Sequence, residues 1–159
     1  MSQHIIVWFR QDLRLYDNPA LQSALNGNNA VIPVFIDDND CGRQPGLMGR
    51  WWRDKSLAQL SEALKSRGSQ LIYRKGKAQE LLPTLAEEVG ATAVYWNRQY
   101  EADIVTRDTA IKSRLKDSGI DAESFNGSLL FEPWEVTSKS TGGPLKYLPR
   151  FGAPAALWV

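Results

Sequence analysis

The chain alternates short, wholly apolar runs with longer stretches in which apolar residues recur at helical spacing. Runs such as HIIVWF and AVIPVFI are partly β-branched and continuous, which is typical of strands covered on both faces. This pattern predicts strands at 4–9, 30–36, 69–75, 91–96 and 120–125, and helices from Pro19 to near Gly27 and at about 50–66, 78–89 and 102–119.

Strands separated by helices favour parallel βαβ units with right-handed crossovers. The sequence therefore predicts an α/β fold, namely a doubly wound, five-stranded parallel sheet of the Rossmann-like kind. Ligands of such sheets bind outside the carboxyl ends of the strands. The residues that directly follow each strand are the first candidates for function.

A dense set of charges follows the first strand directly: Arg10, Asp12 and Arg14, with Asn18 shortly after them. One interpretation is an ion-pair network that only fixes the loop, because charge clusters at loop roots also serve structure. The other is a functional loop at a strand end. Asn18 before Pro19 also has the signature of a helix N-cap followed by proline at the first helical position.

The predicted fourth strand is followed by NRQYE, which supplies Asn97, Tyr100 and Glu101. An amide, an aromatic face and a carboxylate at one strand end suit a planar heteroaromatic ligand. Glu101 also falls at a helix start, where the helix dipole favours a carboxylate. Ligand contact and simple capping therefore both stay open for Glu101.

Two adjacent tryptophans precede the apolar stripe of the predicted second helix, which consists of Leu57, Leu60 and Leu64. At about 100° per residue, Trp51 and Trp52 both point away from that stripe. Either the pair packs on a ligand or on another domain, or the helix begins after Trp52 and the pair belongs to a packed loop.

Composition narrows the class of protein. The chain has 159 residues, a formal net charge of +1 and 43% hydrophobic residues, as expected for one globular domain without a strong global attraction to nucleic acid. Cys41 is the single cysteine, and neither a signal peptide nor an apolar run of membrane-spanning length is present. We therefore expect a cytoplasmic protein with no membrane partner.

The usual motifs of nucleotide and metal chemistry are missing from the sequence. It contains no GxxxxGK[ST] loop and no GxGxxG after the first strand. The sole histidine, His4, precedes the first strand, so we expect no metal site and no Ser-His-Asp arrangement. Cys41 has no histidine in its predicted loop, and a catalytic thiol is not expected.

Several segments occur together in an order that resembles the photolyase/cryptochrome family. They are VWFRQDLRLYDNPAL, AVIPVFI, RWW, SQLIYRKG, VYWNRQYE and FNGSLLFEPWEV, and they span about residues 4–146. The chain is most similar to the N-terminal α/β domain of bacterial class I cyclobutane pyrimidine dimer photolyases. The resemblance implies a part in the light-driven repair of pyrimidine dimers in DNA.

The resemblance also implies cofactors and residue roles. The N-terminal domain of this family carries an antenna chromophore, such as methenyltetrahydrofolate or a deazaflavin, whereas a larger C-terminal helical domain holds FAD and the damaged DNA. Carried over by position, the antenna-binding candidates are Asn97, Tyr100, Glu101, Met48, Arg50, Trp51 and Trp52. Glu101 would accept hydrogen bonds from pterin amino groups. Arg10, Asp12, Arg14 and Asn18 are interpreted as scaffold and interface residues, and none as catalytic.

Two departures from the family pattern shape the expected function. The region that would bind FAD and the lesion is absent, so we expect the chain to be inactive alone, to require the missing C-terminal domain as its partner, and to meet DNA only in the full-length enzyme. Trp51, Trp52 and Trp134 could then support self-association. The family domain is expected at 1–146; the tail 147–159, YLPRFGAPAALWV, is compatible with a frameshifted version of Phe-Ala-Pro-Phe-Trp-Arg-Ala.

Two alternatives remain at this point. A cryptochrome-type blue-light photoreceptor would share the same domain. A stand-alone nucleotide-binding module would share the general fold, but it would not need the WFRQDLRL and NRQYE segments.

Overall fold

The structure, a computed structural model, describes residues 3–27 and 29–136. The chain divides into two units, Met1–Gly127 and Ser128–Val159. The predicted boundary after residue 146 and the atypical tail at 147–159 lie outside the described residues. No helix in the described part of the chain is long and apolar enough to cross a membrane.

The first unit alternates strands and helices along its whole length. Its elements are β1 (His4–Phe9), α1 (Pro19–Leu25), β2 (Ala30–Asp37), α2 (Leu47–Lys65), β3 (Ile72–Lys75), α3 (Ala78–Glu88), β4 (Ala93–Asn97), α4 (Ala102–Asp117) and β5 (Asp121–Phe125).

The five strands form one sheet in the order β3-β2-β1-β4-β5, and every neighbouring pair is parallel. The predicted doubly wound α/β fold is therefore confirmed. In the register of the sheet, Val7 of β1 pairs with Pro33 of β2 on one side and with Tyr95 of β4 on the other. The order of strands reverses between β1 and β4, which makes that point the topological switch of the sheet.

Apolar residues cover both faces of the sheet, as the continuous apolar strands predict. Because successive side chains of a strand alternate between faces, Ile6 and Trp8 of β1 lie in one buried cluster, whereas Val7 and Phe9 lie in the other. The first cluster packs against α3 and α4 through Leu82, Leu85, Ile111 and Leu115, and the second packs against α1 and α2 through Leu21, Ala24, Leu60 and Leu64.

The start of α1 is as predicted from the sequence. The Asn18 side-chain oxygen accepts a hydrogen bond from the Leu21 amide at 3.1 Å, and Pro19 occupies the first turn. Asn18 thus satisfies a backbone donor that the helix itself leaves without a partner.

The start of α2 differs from the prediction. The helix begins at Leu47 rather than near residue 50, and its N-cap, Gly46, makes no side-chain capping hydrogen bond. Trp51 and Trp52 therefore lie within the helix, and the alternative that placed them in a packed loop is wrong. Because no side chain caps this helix, no local pattern of residues marks its start.

The third strand is shorter than predicted. Pairing with β2 runs from Ile72, opposite Val34, to Lys75, opposite Asp37, so residues 69–71 are not part of the ladder. In the second unit, the described residues include a turn in which the Glu135 amide donates to the Glu132 carbonyl at 2.9 Å.

Candidate ligand-binding cleft

A cleft of about 350 Å³ lies at the carboxyl ends of the strands on both sides of the switch point. Its lining includes the aromatic side chains of Trp8 from β1 and Phe35 from β2. The charged side chains in the lining that we discuss below are Arg53 of α2, Glu101 at the N-cap of α4, and Arg107 of α4. Its volume falls within the range of small-molecule sites, about 300–1,000 Å³. The cleft is thus where ligands of doubly wound sheets bind.

Two guanidinium groups lie over the indole of Trp8 on one side of the cleft. The Arg10 and Arg107 guanidinium carbons are 4.8 Å and 5.0 Å from the ring centroid. Asp108 binds both: its Oδ2 accepts from Arg10 Nη1 at 2.7 Å and its Oδ1 from Arg107 Nη2 at 2.8 Å. Arg107 also donates to Asp38 at 3.1 Å. The two cations are thus held in place by carboxylates.

Arg10 is a buried cation with 8% of its surface exposed. Desolvation lowers the pKa of Arg10, and the neighbouring Asp108 carboxylate opposes that shift. Arg10 also donates through Nη2 to the Asn97 carbonyl at the end of β4. The side chain therefore joins β1 to β4 and α4 across the switch point.

A second polar group forms the opposite side of the cleft around Asp37, the last residue of β2. Its two oxygens accept from Arg53 Nη1 at 2.8 Å and from the Tyr73 hydroxyl at 3.1 Å. Tyr73 stacks on Phe35 with centroids 5.8 Å apart. Burial, together with Asp37, raises the pKa of Tyr73. These contacts fix the position of Arg53 in the cleft wall.

Three buried donors of the cleft residues have no hydrogen-bond partner among the described residues: Trp8 Nε1, Arg10 Nε and Arg53 Nε. An unsatisfied buried donor costs about 1–3 kcal/mol. Three such donors therefore belong to residues that line one cleft.

Of the residues predicted for the antenna site, Glu101 lines this cleft. It occupies the N-cap position of α4, but its side chain makes no capping hydrogen bond. The helix start therefore does not use its carboxylate. Tyr100 is half-buried beside it, and Arg10 lines the same cleft, as expected for residues at the ends of adjacent parallel strands.

Asn97 is buried and its amide is engaged within the chain. Its Nδ2 donates to Asp12 at 2.5 Å and to Asn18 at 2.8 Å, and its Oδ1 accepts from the Ala20 amide at 3.1 Å. A Cβ at Gly127 would lie 2.7 Å from Asn97 Cβ, so only glycine fits there. Asn97 thus ties β4 to the start of α1, and its contact with a chromophore stays a prediction.

Asp12, Arg14 and Asn18 hold the loop that follows β1. Asp12 accepts from the Arg10 amide at 2.9 Å, and Asn18 Nδ2 donates to the Arg14 carbonyl at 3.1 Å. Arg14 donates to the Gly127 carbonyl at 2.8 Å. Together with Arg10 these residues act within the fold; their proposed role at an interface stays a prediction.

The other predicted group lies on the first turns of α2 and does not line the cleft. Trp51 is 53% and Trp52 is 68% exposed, with ring centroids 6.3 Å apart. Met48, Arg50 and Leu47 are exposed as well. We call Leu47, Met48, Trp51 and Trp52 the α2 apolar patch. It leads along the helix to Arg53, which reaches the cleft.

The described residues include no group of three or more His, Cys, Asp or Glu side chains placed to hold a metal ion. Cys41 lines the cleft, and burial raises the pKa of its thiol. This thiol is thus less ionised than an exposed one, which disfavours a nucleophilic role.

Sequence reasoning missed Asp37, Asp38, Arg53 and Arg107. Asp37 and Asp38 stand at the end of β2, so the same strand-end rule that selected Arg10 could have found them. Arg53 and Arg107 lie inside helices, and only the folded chain brings them to the strand ends.

The sheet topology and the cleft define a doubly wound α/β domain with a cleft of small-molecule size at its switch point. A family model described as DNA photolyase matches residues 5–153. The chain belongs to the DNA photolyase family and corresponds to its N-terminal α/β domain. Proteins of this family bind FAD and antenna chromophores.

Curated relatives include both enzymes and photoreceptors. The chain is 43% identical over 146 residues to the deoxyribodipyrimidine photo-lyase of Agrobacterium fabrum, covering 91% of this chain and 30% of the relative. It is 40% identical over 139 residues to cryptochrome-2 of Arabidopsis thaliana, covering 86% of this chain and 22% of the relative. The chain thus spans less than a third of these relatives.

Solved structures agree with the fold. A bacterial class III photolyase from Agrobacterium tumefaciens superposes with a TM-score of 0.84 at 41% identity, over 92% of this chain and 30% of that chain. An archaeal photolyase from Sulfolobus tokodaii, solved with two FAD molecules, has a TM-score of 0.67 at 28% identity over 87% of this chain and 31% of that chain. The Agrobacterium enzyme is described as class III, whereas the sequence analysis expected class I.

Proposed function

We propose that this chain is the antenna-binding domain of a deoxyribodipyrimidine photolyase, and that its cleft holds the antenna chromophore. The observation that carries the proposal is the set of three buried donors without partners in a cleft at the switch point. The Sulfolobus photolyase supports it, because that structure is described as implying a novel light-harvesting cofactor.

The cleft residues fit a planar pigment with acceptor atoms on its rings. Trp8 and Phe35 offer aromatic surfaces, and Trp8 Nε1 and Arg10 Nε offer donors. Glu101 would accept from the amino groups of a pterin. The pigment would supply absorption in the near-ultraviolet or blue, and the energy would pass to FAD in the full-length enzyme. The protein's part is to bind and orient the pigment and to exclude water from it.

The test is retention of pigment by the purified chain. The chain is mixed separately with methenyltetrahydrofolate and with a deazaflavin, freed of unbound pigment and examined by absorption spectroscopy. We expect one of the two to be retained near one equivalent. Glu101→Gln should weaken binding of the folate about tenfold, the effect of losing one charge-assisted hydrogen bond.

Glu88→Gln is the matched control, because Glu88 is exposed at the end of α3 and far from the cleft in sequence. It should bind like the wild type. Failure of the wild-type chain to retain either pigment would refute the proposal for this chain. Equal weakening by both variants would show that Glu101 has no specific role.

The repair chemistry itself belongs to the full-length enzyme in this proposal. The FAD- and DNA-binding helical domain is the proposed partner, and the α2 apolar patch is the surface of this chain that suits it. We expect no light-dependent repair of pyrimidine dimers by the 159-residue chain, even with added FAD. Measurable repair under those conditions would contradict the assignment of the flavin site to another domain.

A cryptochrome-type photoreceptor domain is the second candidate, favoured by the 40% identity to Arabidopsis cryptochrome-2. A repair assay on the full-length protein separates the two. Dimer repair would identify a photolyase, and a protein that binds FAD without repairing DNA would fit the photoreceptor.

A further inference from the structure

A second, smaller pocket lies where α4 covers the ends of β4 and β5. Its volume is about 170 Å³, and the residues that matter for its chemistry are Trp96, Arg98, Asp108, Lys112 and Ser124. Asp108 and Lys112 are four residues apart and thus lie on one face of α4. Trp96 and Ser124 are paired neighbours in the β4–β5 ladder. The pocket is therefore built from β4, β5 and α4, together with Arg98 from the segment that follows β4.

Two cationic side chains converge on one hydroxyl in this pocket. Ser124 Oγ accepts from Lys112 Nζ at 2.7 Å and from Arg98 Nε at 3.0 Å. A hydroxyl oxygen has two acceptor positions, so the Ser124 hydroxyl has only its own hydrogen left to donate. The Lys112 ammonium group keeps two further N–H donors.

The acceptors around the pocket are already engaged. Asp108 is the carboxylate that lines it, and its two oxygens are bound by Arg10 and Arg107. Trp96 is fully buried, and its Nε1 has no hydrogen-bond partner among the described residues. The pocket therefore offers donors from a lysine and a serine, and its wall includes Trp96, whose buried N–H has no partner among the described residues. Within the described ranges its only lining carboxylate, Asp108, is already engaged.

The charge of Lys112 is poorly compensated. Within the part of the chain that the structure describes, no carboxylate oxygen lies within 4.0 Å of Lys112 Nζ, whereas the Trp96 ring centroid is 5.5 Å away. Burial, followed by Arg98 and Lys116, lowers the pKa of Lys112, and the Asp108 and Glu123 carboxylates oppose this shift only in part. An anion next to Nζ would remove this electrostatic penalty.

We propose that this pocket binds an oxyanion of the phosphate class, either free or carried by a nucleotide. Lys112 supplies the charge, and Ser124 Oγ–H and Trp96 Nε1–H supply directed hydrogen bonds. The pocket shares Gln99 with the lining of the larger cleft, but its test uses phosphate and does not depend on whether that cleft holds a pigment.

The test follows the indole N–H signals of the chain by ¹H–¹⁵N NMR during titration with inorganic phosphate at constant ionic strength. The Trp96 signal is assigned as the one missing in Trp96→Phe. We expect it to shift in a saturable way. Lys112→Gln should weaken the apparent affinity for phosphate about tenfold or more, as expected for the loss of a charge-assisted hydrogen bond.

Lys116→Gln is the matched control, since it removes the same charge one turn further along the exposed side of α4. It should leave the phosphate affinity within about twofold of the wild type. A Trp96 signal that phosphate does not move, or an equal loss in both lysine variants, would overturn the proposal. Should Trp96→Phe unfold, the readout is whichever indole signal of the wild type shifts saturably with phosphate, and Ser124→Ala should lose affinity by that readout. Unchanged affinity of Ser124→Ala would overturn the proposal as well.

A parallel titration with adenosine 5′-monophosphate distinguishes the source of the oxyanion. Tighter binding than inorganic phosphate would support a nucleotide phosphate as the occupant, and equal binding would support the free anion.

Discussion

Removing the charge of Asp108 should destabilise the fold strongly. Its carboxylate binds Arg10 and Arg107 at 2.7 Å and 2.8 Å, and the side chains of Arg10 and Asp108 are 6% and 12% exposed. Asp108→Asn keeps the shape of the side chain and removes its charge. Arg107 retains Asp38 as a partner, but Arg10 is left as a buried cation whose nearest carboxylate has gone.

The size of the effect follows from the burial of Arg10. Removing one partner of a buried ion pair costs about 3–5 kcal/mol. Because the amide oxygen of the new asparagine can still accept one hydrogen bond, we expect the lower end, about 3 kcal/mol. For a chain of this length that corresponds to a fall in Tm of about 6–12 °C.

Urea unfolding followed by tryptophan fluorescence measures this change. Asp117→Asn makes the same substitution on the exposed end of α4 and should stay within about 0.5 kcal/mol of the wild type. In a double-mutant cycle, Arg10→Met should cost less in the Asp108→Asn background than in the wild type, by about 1–3 kcal/mol. Wild-type stability of Asp108→Asn, or strictly additive effects in the cycle, would refute the reasoning.

Two other features give direct predictions. Burial, followed by the Glu123 and Asp121 carboxylates, raises the pKa of Tyr95. The neutral Tyr95 hydroxyl therefore contributes fully to the free energy of unfolding below the ordinary tyrosine pKa of about 10. This contribution is lost as the pH rises through the higher pKa of the folded chain. Tyr95→Phe should therefore flatten the alkaline fall in the urea midpoint, whereas Tyr16→Phe, at an exposed site, should not; equal slopes in both would exclude Tyr95 as the cause. The α2 apolar patch should make the chain self-associate, and Trp51→Ser with Trp52→Ser should reduce the sedimentation coefficient at high concentration more than Leu25→Ser does. A monomeric wild type at all concentrations would contradict this.

The order and type of the nine elements in the described part of the chain could be predicted, because each strand is a short apolar run and each helix has apolar residues at helical spacing. β1 shows this best, since its predicted and observed bounds are the same, His4–Phe9. The start of α2 could not be predicted, because Gly46 provides no capping side chain and the chain enters the helix without a recognisable signal. Residues 69–71 have the composition of a strand, but the pairing between β2 and β3 begins only at Ile72, opposite Val34.

The cleft could be predicted only in part. Strand-end reasoning selected Arg10 and Glu101, which line it. It could not find Arg107, because the contact between Arg107 and Trp8 joins α4 to β1 and leaves no local pattern in the sequence. It also could not show that the amide of Asn97 is engaged with Asp12, Asn18 and Ala20, since all three partners come from a distant segment.

The contact between Trp8 and Trp96 has an optical consequence. Their rings meet edge to face with centroids 5.8 Å apart; Trp8 lines the cleft, and Trp96 lines the smaller pocket. One indole therefore lines each cavity, and the two indoles are close enough for excitation energy to pass between them. The chain has six tryptophans, so the part of the indole quenching by a near-ultraviolet-absorbing guest that is lost in Trp8→Phe would report that the first cavity is filled.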